Sequence, residues 1–301
     1  MSMEEKQNFP TSQDSNQIYP KKEYEVAEFI KKSYKSNIPI EIIGSGSKKE
    51  IGKFLQCGKT LNFSKLDGII EYRPEELFIK VKAGTPINII ENELKKNKQN
   101  LAFEPIDFGY LFLGKSNCGT AAGQVACNIS GPRRFKVGSI RDHILGFRAV
   151  NGRGEIIKSG GTVVKNVTGY DLSKLICGSY GTLAALTEIT FKVLPSADIS
   201  QTLVIHNLTI DSAPEYLEKA ISSSNDISGA SFLPQKPTCN NCEMNIENTF
   251  KLNDLKNKGS ITAIRVEGSK KSTNERIENL KHELKVLDTN ISVLETLQSE
   301  I

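Results

Sequence analysis

Tryptophan is absent from the 301 residues, aromatic residues make up only 7%, and there are just three histidines, at 143, 206 and 282. The 39 basic and 35 acidic residues are dispersed along the chain, so the net charge of +4 builds no basic face with interleaved aromatics, and nucleic-acid binding has little support. None of the three histidines forms a metal-type pair with a carboxylate at helical spacing, which argues against a histidine metal site. No apolar run approaches the ~18 residues that a membrane-crossing helix needs. The opening MSMEEKQNFPTSQDSNQIYP lacks the apolar core and small-residue cleavage site of a signal peptide and reads as a polar tail. Six cysteines, at 57, 118, 127, 177, 239 and 242, form no disulfide framework in so long a chain and fit a reducing, cytoplasmic setting. There is neither an internal repeat nor a long low-complexity tract.

What is present is enough apolar residue for a real core, 38%, in a length that suggests about two domains. KEYEVAEFIKKSYKS (22–36) sets Val26, Phe29, Ile30 and Tyr34 at helical spacing. A strand at Ile40–Ile43 follows, and FIKVKAGT (78–85) reads as another. Thr85 then suits the N-cap of a helix over 86–97 with Pro86 at its first position. Glycine is dense from 113 to 161, and AVNGRGEI reads as two strands joined by a turn in which Asn151-Gly152 takes the positive φ angles. Apolar residues at 189, 191 and 193 predict a half-buried strand ending at Pro195. After about residue 198 the glycines thin out, and two strand–helix units, TLVIHNL with SAPEYLEKAISS and ITAIRVEG with STNERIENLKHELKVL, predict a small second α+β domain.

The first strand runs into Gly44-Ser45-Gly46-Ser47, a strand-to-loop transition suited to presenting backbone N–H groups to phosphate. The dinucleotide fingerprint fails because Lys49 stands at its third glycine, and no Walker A spacing is present. Two readings remain for the loop by itself: a nest of N–H donors, or an ordinary Gly/Ser turn.

Three later blocks bear on that choice. EYRPEELFIKVKAGTPINIIENEL, the long EPIDFGYLFLGKSNCGTAAGQVACNISGPRRFKVGSIRDHILGFRAVNGRGE, and KNVTGYDLSKLICGSYGTLAALTEITFKVLP occur in the order and character of the flavoproteins with a PCMH-type FAD-binding domain, the vanillyl-alcohol-oxidase-like superfamily. Within it GPRR, GSIRDHILG and KNVTGYDL most resemble the FAD-binding subunits of bacterial glycolate oxidases. The resemblance covers about residues 22–195 and implies an α+β fold. It further implies a polar tail (1–20), a PCMH-type domain of two α/β subdomains (21–198) and a reduced, cap-like α+β domain (199–301), abbreviated or truncated relative to the family.

The resemblance also implies a dissociable FAD, since no histidine follows Ser47 to carry a covalent link. It assigns the pyrophosphate to Gly44, Ser45, Gly46 and Ser47, and the glycine-rich flavin loop to Thr120, Gly123, Asn128 and Gly131 with Gly138, Ser139 and Asp142. Gly178, Gly181 and Leu183 line the cofactor from the third block, with Ile189 on the adenine side. Ala122 departs from the family's usual Gly-Gly, and its methyl is expected to crowd the flavin loop. The implied role is oxidation of glycolate, a small 2-hydroxy acid, to glyoxylate. The implied partners are a larger FAD-bearing catalytic subunit and an iron–sulfur subunit, in a cytoplasmic complex peripheral to the inner membrane.

No residue is singled out as catalytic. His143 reads first as a structural histidine and second as a base. Arg133-Arg134 reads as a solvated or subunit-contacting pair, or as a carboxylate clamp. Lys165, Tyr170 and Asp171 read first as packing and hydrogen-bonding residues and second as residues facing the flavin or an adjoining subunit. Cys239-Asn-Asn-Cys242 supplies two ligands where zinc or an iron–sulfur cluster wants four, so no metal is expected. Three alternatives stand beside the main reading: a self-sufficient dehydrogenase of another hydroxy acid, a non-catalytic assembly subunit that has lost FAD, and, weakest, a Rossmann dehydrogenase.

Overall fold

A computed structural model describes residues 17–53, 55–161, 170–234, 259–285 and 291–295. Lys165, Cys239 and Cys242 lie outside these, as do most of the N-terminal tail and the last six residues.

The N-terminal layer is a parallel sheet of β1 (Gln17–Ile18), β2 (Ile40–Ile43) and β3 (Lys59–Asn62), in the order β1-β3-β2, packed against α1 (Glu23–Lys35). Val26, Phe29 and Ile30 of α1 are buried with Leu61, Phe63 and Leu66. Tyr34, expected on the same face, is 58% exposed. At 100° per residue Ser33 takes the centre of that face, and Tyr34 falls on its rim.

An antiparallel sheet forms the middle, from β4 (Ile69–Arg73), β5 (Phe78–Lys82), β7 (Ile144–Asn151), β8 (Ile156–Gly160) and β9 (Ala184–Lys192), in the order β4-β5-β9-β7-β8. The central strand β9 is buried on both faces, Thr187 and Thr190 included, so the half-buried expectation fails. One face meets α1 and the parallel sheet. The other meets α2 (Ile87–Lys95), whose Ile87, Ile90 and Leu94 are buried. Pro86 occupies the cap position of α2; Thr85 Oγ1 instead accepts from Gly68 N–H (3.0 Å) and donates to the Lys82 carbonyl (2.7 Å).

The β7–β8 turn corrects the sequence reading in detail. Its positive φ lies at Gly154 (+82°), not at Asn151-Gly152. Asn151 works through its side chain, with Oδ1 accepting from the N–H groups of Arg153 (2.9 Å) and Glu155 (3.0 Å). The result is a three-residue loop with a left-handed glycine. A Cβ on Gly154 would also sit 2.7 Å from the Ala27 carbonyl oxygen of α1. Gly154→Ala is therefore expected to lower unfolding free energy by about 2 kcal/mol, from backbone strain plus the clash. Urea denaturation checks this; a loss below about 0.5 kcal/mol counts against the docking of the turn on α1.

Short helices α3 (Gly109–Phe112), α4 (Ala121–Cys127), α5 (Arg134–Val137) and α6 (Leu172–Ile176) punctuate the glycine-rich connections, and β6 (Gln99–Asn100) pairs with β10 (Leu194–Pro195). The C-terminal part is an antiparallel sheet of β11 (Ile199–His206), β12 (Gly229–Leu233), β13 (Ile261–Gly268) and β14 (Ile291–Glu295), in the order β12-β13-β11-β14. It carries α7 (Ala213–Ser222) and α8 (Lys270–Leu284) and has its own apolar core around Leu203, Ile264 and Leu280.

Candidate functional site

The Gly44–Ser47 loop leaves the end of β2 and abuts the start of α4. A Cβ on Gly44 would lie 2.3 Å from Thr120 Oγ1, and one on Gly123 would lie 2.9 Å from the same oxygen. Glycine at both positions is what lets loop and helix approach so closely. Thr120 caps α4, its Oγ1 accepting from Gly123 N–H (3.3 Å). The N–H groups of Ala121 and Ala122 go to the carbonyls of Thr85 and Ala83, both at 2.9 Å. The first turn of α4 thus has its donors engaged. The loop differs: Ser45, Gly46 and Ser47 donate to no backbone acceptor among the described residues. Gly46 turns the chain at φ +79°, Ser47 is buried, and the Ser45 hydroxyl donates to the Cys118 carbonyl.

From this junction a narrow groove opens between Ile42, Ile43 and Gly44 on one wall and Thr120, Gly123 and Gly181 on the other. It adjoins a wider, open cleft that shares Ile42, Gly181 and Ala184 and continues to Leu183, Tyr34 and Asn151. Ala122 contributes to the groove wall while packing against both the N-terminal and middle cores. Tyr180 also lines the groove, half-exposed at φ +52°. Sequence reasoning passed over it, since a positive φ at tyrosine is visible only in the fold.

The other expected residues fall into three places. Gly178 (φ +81°) and Asn128 (φ +49°) meet at the C-terminal end of α4, a Cβ on Gly178 reaching 3.4 Å from Asn128 Cβ. The Cys177 thiol there donates to Val125 O (3.3 Å) and Asn128 Oδ1 (3.4 Å), and burial pushes its pKa up to about 12. Gly131 packs on Glu104, where a Cβ would come within 2.6 Å of Glu104 Cβ. Gly138, Ser139 and Asp142 form a closed cap in which Asp142 Oδ2 accepts from Ser139 N–H (2.9 Å) and Oγ–H (3.1 Å). Neither these three nor Gly131 lines the groove. Nor does Ile189: its side chain is fully buried, with Val81 and Phe147 paired on either side of its backbone.

Burial alone would raise the Asp142 carboxyl, but the Ser139 hydrogen bonds outweigh it and hold the group below its ordinary value. A depressed folded-state pKa stabilises above the unfolded value, and that stability is lost as pH falls through the folded one. Asp142→Asn is expected to cost about 1 kcal/mol at neutral pH and to flatten the acid limb of stability, as urea titrations at several pH values will read. An unchanged acid limb counts against the cap.

His143 is buried against Phe103, with ring centroids 5.7 Å apart. Its Nε2–H donates to the Val137 carbonyl (3.0 Å), and burial keeps its pKa low. It is a neutral, structural imidazole. Arg133 turns to the C-terminal sheet and pairs with Glu267 at 2.9 Å, while its N–H donates to Glu104 Oε2 at 3.0 Å. It is thus an internal contact rather than a solvated or subunit-contacting group. Tyr170 is 94% exposed, and Asp171 caps α6 by accepting from Lys174 N–H (3.3 Å). Among the described residues no group of three or more His, Cys, Asp and Glu side chains is placed to hold a metal ion.

Residues 16–160 match the model of the FAD binding domain family. The chain is 42% identical over 176 residues to the glycolate oxidase subunit GlcE of Escherichia coli, covering 58% of this chain and 48% of that protein. It is 33% identical over 186 residues to a D-lactate dehydrogenase of Anaerostipes hadrus (60% and 36%), and 29% identical over 207 residues to the glycolate oxidase subunit GlcD of Bacillus subtilis (68% and 42%). The chain therefore spans about half or less of the curated relatives it matches. In fold it is similar to alkyldihydroxyacetonephosphate synthase, with a TM-score of 0.68 at 19% identity over 93% of this chain and 51% of that one.

Proposed function

With an FAD binding domain across residues 16–160 as the premise, we propose that the chain is the FAD-binding subunit of a glycolate (2-hydroxy-acid) oxidase, holding FAD without a covalent bond. The observation that carries this reading is the glycine-permitted junction of the Gly44–Ser47 loop with Thr120 and Gly123, at the mouth of a groove that continues into the open cleft at Leu183. FAD's pyrophosphate carries about two negative charges, and the free N–H groups of Ser45, Gly46 and Ser47 are oriented dipoles suited to it. The ribityl and ring portions would lie along Thr120, Gly123 and Tyr180, and the wider cleft at Leu183 receives the adenosine end. Asn128 and Gly178, with Gly131, Gly138, Ser139 and Asp142, would support the loop from behind.

When bound, FAD supplies the two-electron acceptor for oxidation of glycolate to glyoxylate. The chain's own contribution is to bind, orient and enclose. His143 is buried away from the groove and Arg133 is paired with Glu267, so neither is placed to serve as base or carboxylate clamp. We infer that those groups come from a larger FAD-bearing subunit, with an iron–sulfur subunit passing electrons onward. We place the division between the FAD domain and a reduced cap-like domain near residue 198, ahead of β11. No helix among the described residues is long and apolar enough to cross a membrane, so any association with the inner membrane would run through the complex.

Similarity to a D-lactate dehydrogenase favours one second reading, turnover of another 2-hydroxy acid. Anaerobic addition of glycolate or D-lactate to the FAD-loaded chain, alone and with its partners, separates the two. The expected outcome is no bleaching alone and bleaching by glycolate in the complex. Bleaching of the isolated chain by D-lactate would replace the subunit reading with the self-sufficient one.

A further inference from the structure

Two lysines follow the loop, and among the described residues only one of them is ion-paired with a carboxylate. Lys49 pairs with Glu41 at 3.2 Å and lies largely in solvent. Lys48 turns the other way. Its Nζ sits 3.8 Å from where a Cβ on Gly123 would be and 5.9 Å from the centroid of the Phe108 ring. No carboxylate lies within ion-pair distance of it among the described residues. Asp107, which is near enough to influence it, gives its oxygens to the N–H groups of Gly109 (2.9 Å), Asn117 (2.5 Å) and Cys118 (3.3 Å). The neighbouring Cys127 offers no counter-charge, because burial raises its thiol pKa.

An ammonium kept half out of water with no carboxylate in contact is costly, Asp107 compensating only from a distance, and burial accordingly lowers the Lys48 pKa. Gly123 has no side chain to screen it from the groove. The first-turn donors of α4 are already engaged, so this side of Gly123 has an ammonium with no carboxylate in contact among the described residues, beside loop N–H groups that meet no backbone acceptor there.

We propose that Lys48 is the cationic partner of the cofactor's pyrophosphate, completing with Ser45–Ser47 a site for a diphosphate. The assignment rests on the FAD reading above. It makes the site a charged one: selectivity for FAD over flavins without a diphosphate comes from Lys48, and the binding of any adenosine diphosphate moiety shares the dependence.

Affinities of FAD, ADP and riboflavin, measured calorimetrically for the wild-type chain and for Lys48→Met, Lys48→Arg and Lys49→Met, test this. Losing a charge-assisted contact is expected to weaken FAD and ADP about ten- to a hundredfold in Lys48→Met. Riboflavin should stay within about twofold, Lys48→Arg should keep most of the affinity, and Lys49→Met should match wild type. Thermal stability should hold or rise in Lys48→Met, since an unpaired charge is removed; a structural lysine would lower it. Wild-type-like binding of FAD and ADP by Lys48→Met overturns the assignment while leaving the FAD reading intact. An equal loss for riboflavin also overturns it, by placing the ammonium at the ring. A wild-type chain that binds ADP through Lys48 but not FAD overturns the FAD reading and keeps the diphosphate site; one that binds neither overturns both.

Discussion

Gly44→Val is expected to abolish FAD retention. Even the first atom of a side chain at this position would stand 2.3 Å from Thr120 Oγ1, and 3.1 Å from Thr120 Cγ2. Thr120 cannot retreat cheaply, because its Oγ1 caps α4 and the helix start is pinned by the Thr85 and Ala83 carbonyls. The loop must therefore swing away from the helix, and that separation carries the N–H groups of Ser45–Ser47 off the groove. Losing two or three oriented donors, at about 1 kcal/mol or more each toward a charged group, amounts to a hundredfold or greater loss of affinity. Fold stability should fall by about 1–3 kcal/mol, as overpacking usually costs. Desalting after incubation with excess FAD reads the first effect and urea denaturation the second. A variant that folds and keeps its flavin would mean the pyrophosphate lies elsewhere.

Arg265→Ala is expected to be the most destabilising single change at the contact between the C-terminal sheet and the flavin loop, lowering unfolding free energy by about 2–3 kcal/mol at pH 7. Arg265 is paired with Glu104 and, at 3.4 Å, with Glu267, which also holds Arg133 at 2.9 Å. The side chains of Arg133, Arg265 and Glu267 are each 15% exposed and that of Glu104 26%, enough solvent to discount a fully buried estimate but too little to make the loss negligible. Burial already raises the Glu104 carboxyl above its usual value in spite of Arg265, and without the guanidinium it rises further. Because the folded form then binds a proton more readily than the unfolded one, the deficit is smallest below the unfolded carboxylate pKa. It grows as pH rises through the folded one. Acidification should thus narrow the gap to wild type, and Glu104→Gln in the Arg265→Ala background should recover much of the loss at pH 7. A pH-independent deficit would show that Arg265 acts only through packing.

Much of this was legible in the sequence, but unevenly. α1, β2, β5 and α2 follow from local periodicity, and the ordered glycine blocks were informative because several of their glycines answer to a close approach, as at Gly44, Gly123 and Gly131. What escaped depends on partners far along the chain. Thr85 looks like a helix cap until Gly68 is seen to claim its hydroxyl, and β9 looks half-buried until layers on both sides cover it. The short edge strands β12 and β14 have weak patterns of their own and exist through pairing with β13 and β11. The Arg133–Glu267 pair joins residues 134 apart and has no local signature. At the site, Ile189 lies in the core and off the groove, which a residue's place in a family block does not by itself disclose. Lys48 was passed over in favour of the serines, since only the fold reveals that its neighbour is ion-paired with a carboxylate and that it, among the described residues, is not.

The most direct test is the visible spectrum of the purified wild-type chain after loading with FAD and desalting. The expected result is absorbance near 450 nm (roughly, the flavin band) at one flavin per chain, all of it released on denaturation. A folded chain that emerges colourless would contradict the account: the groove between Gly44 and Gly181 would not be a flavin site, and the subunit would serve assembly alone.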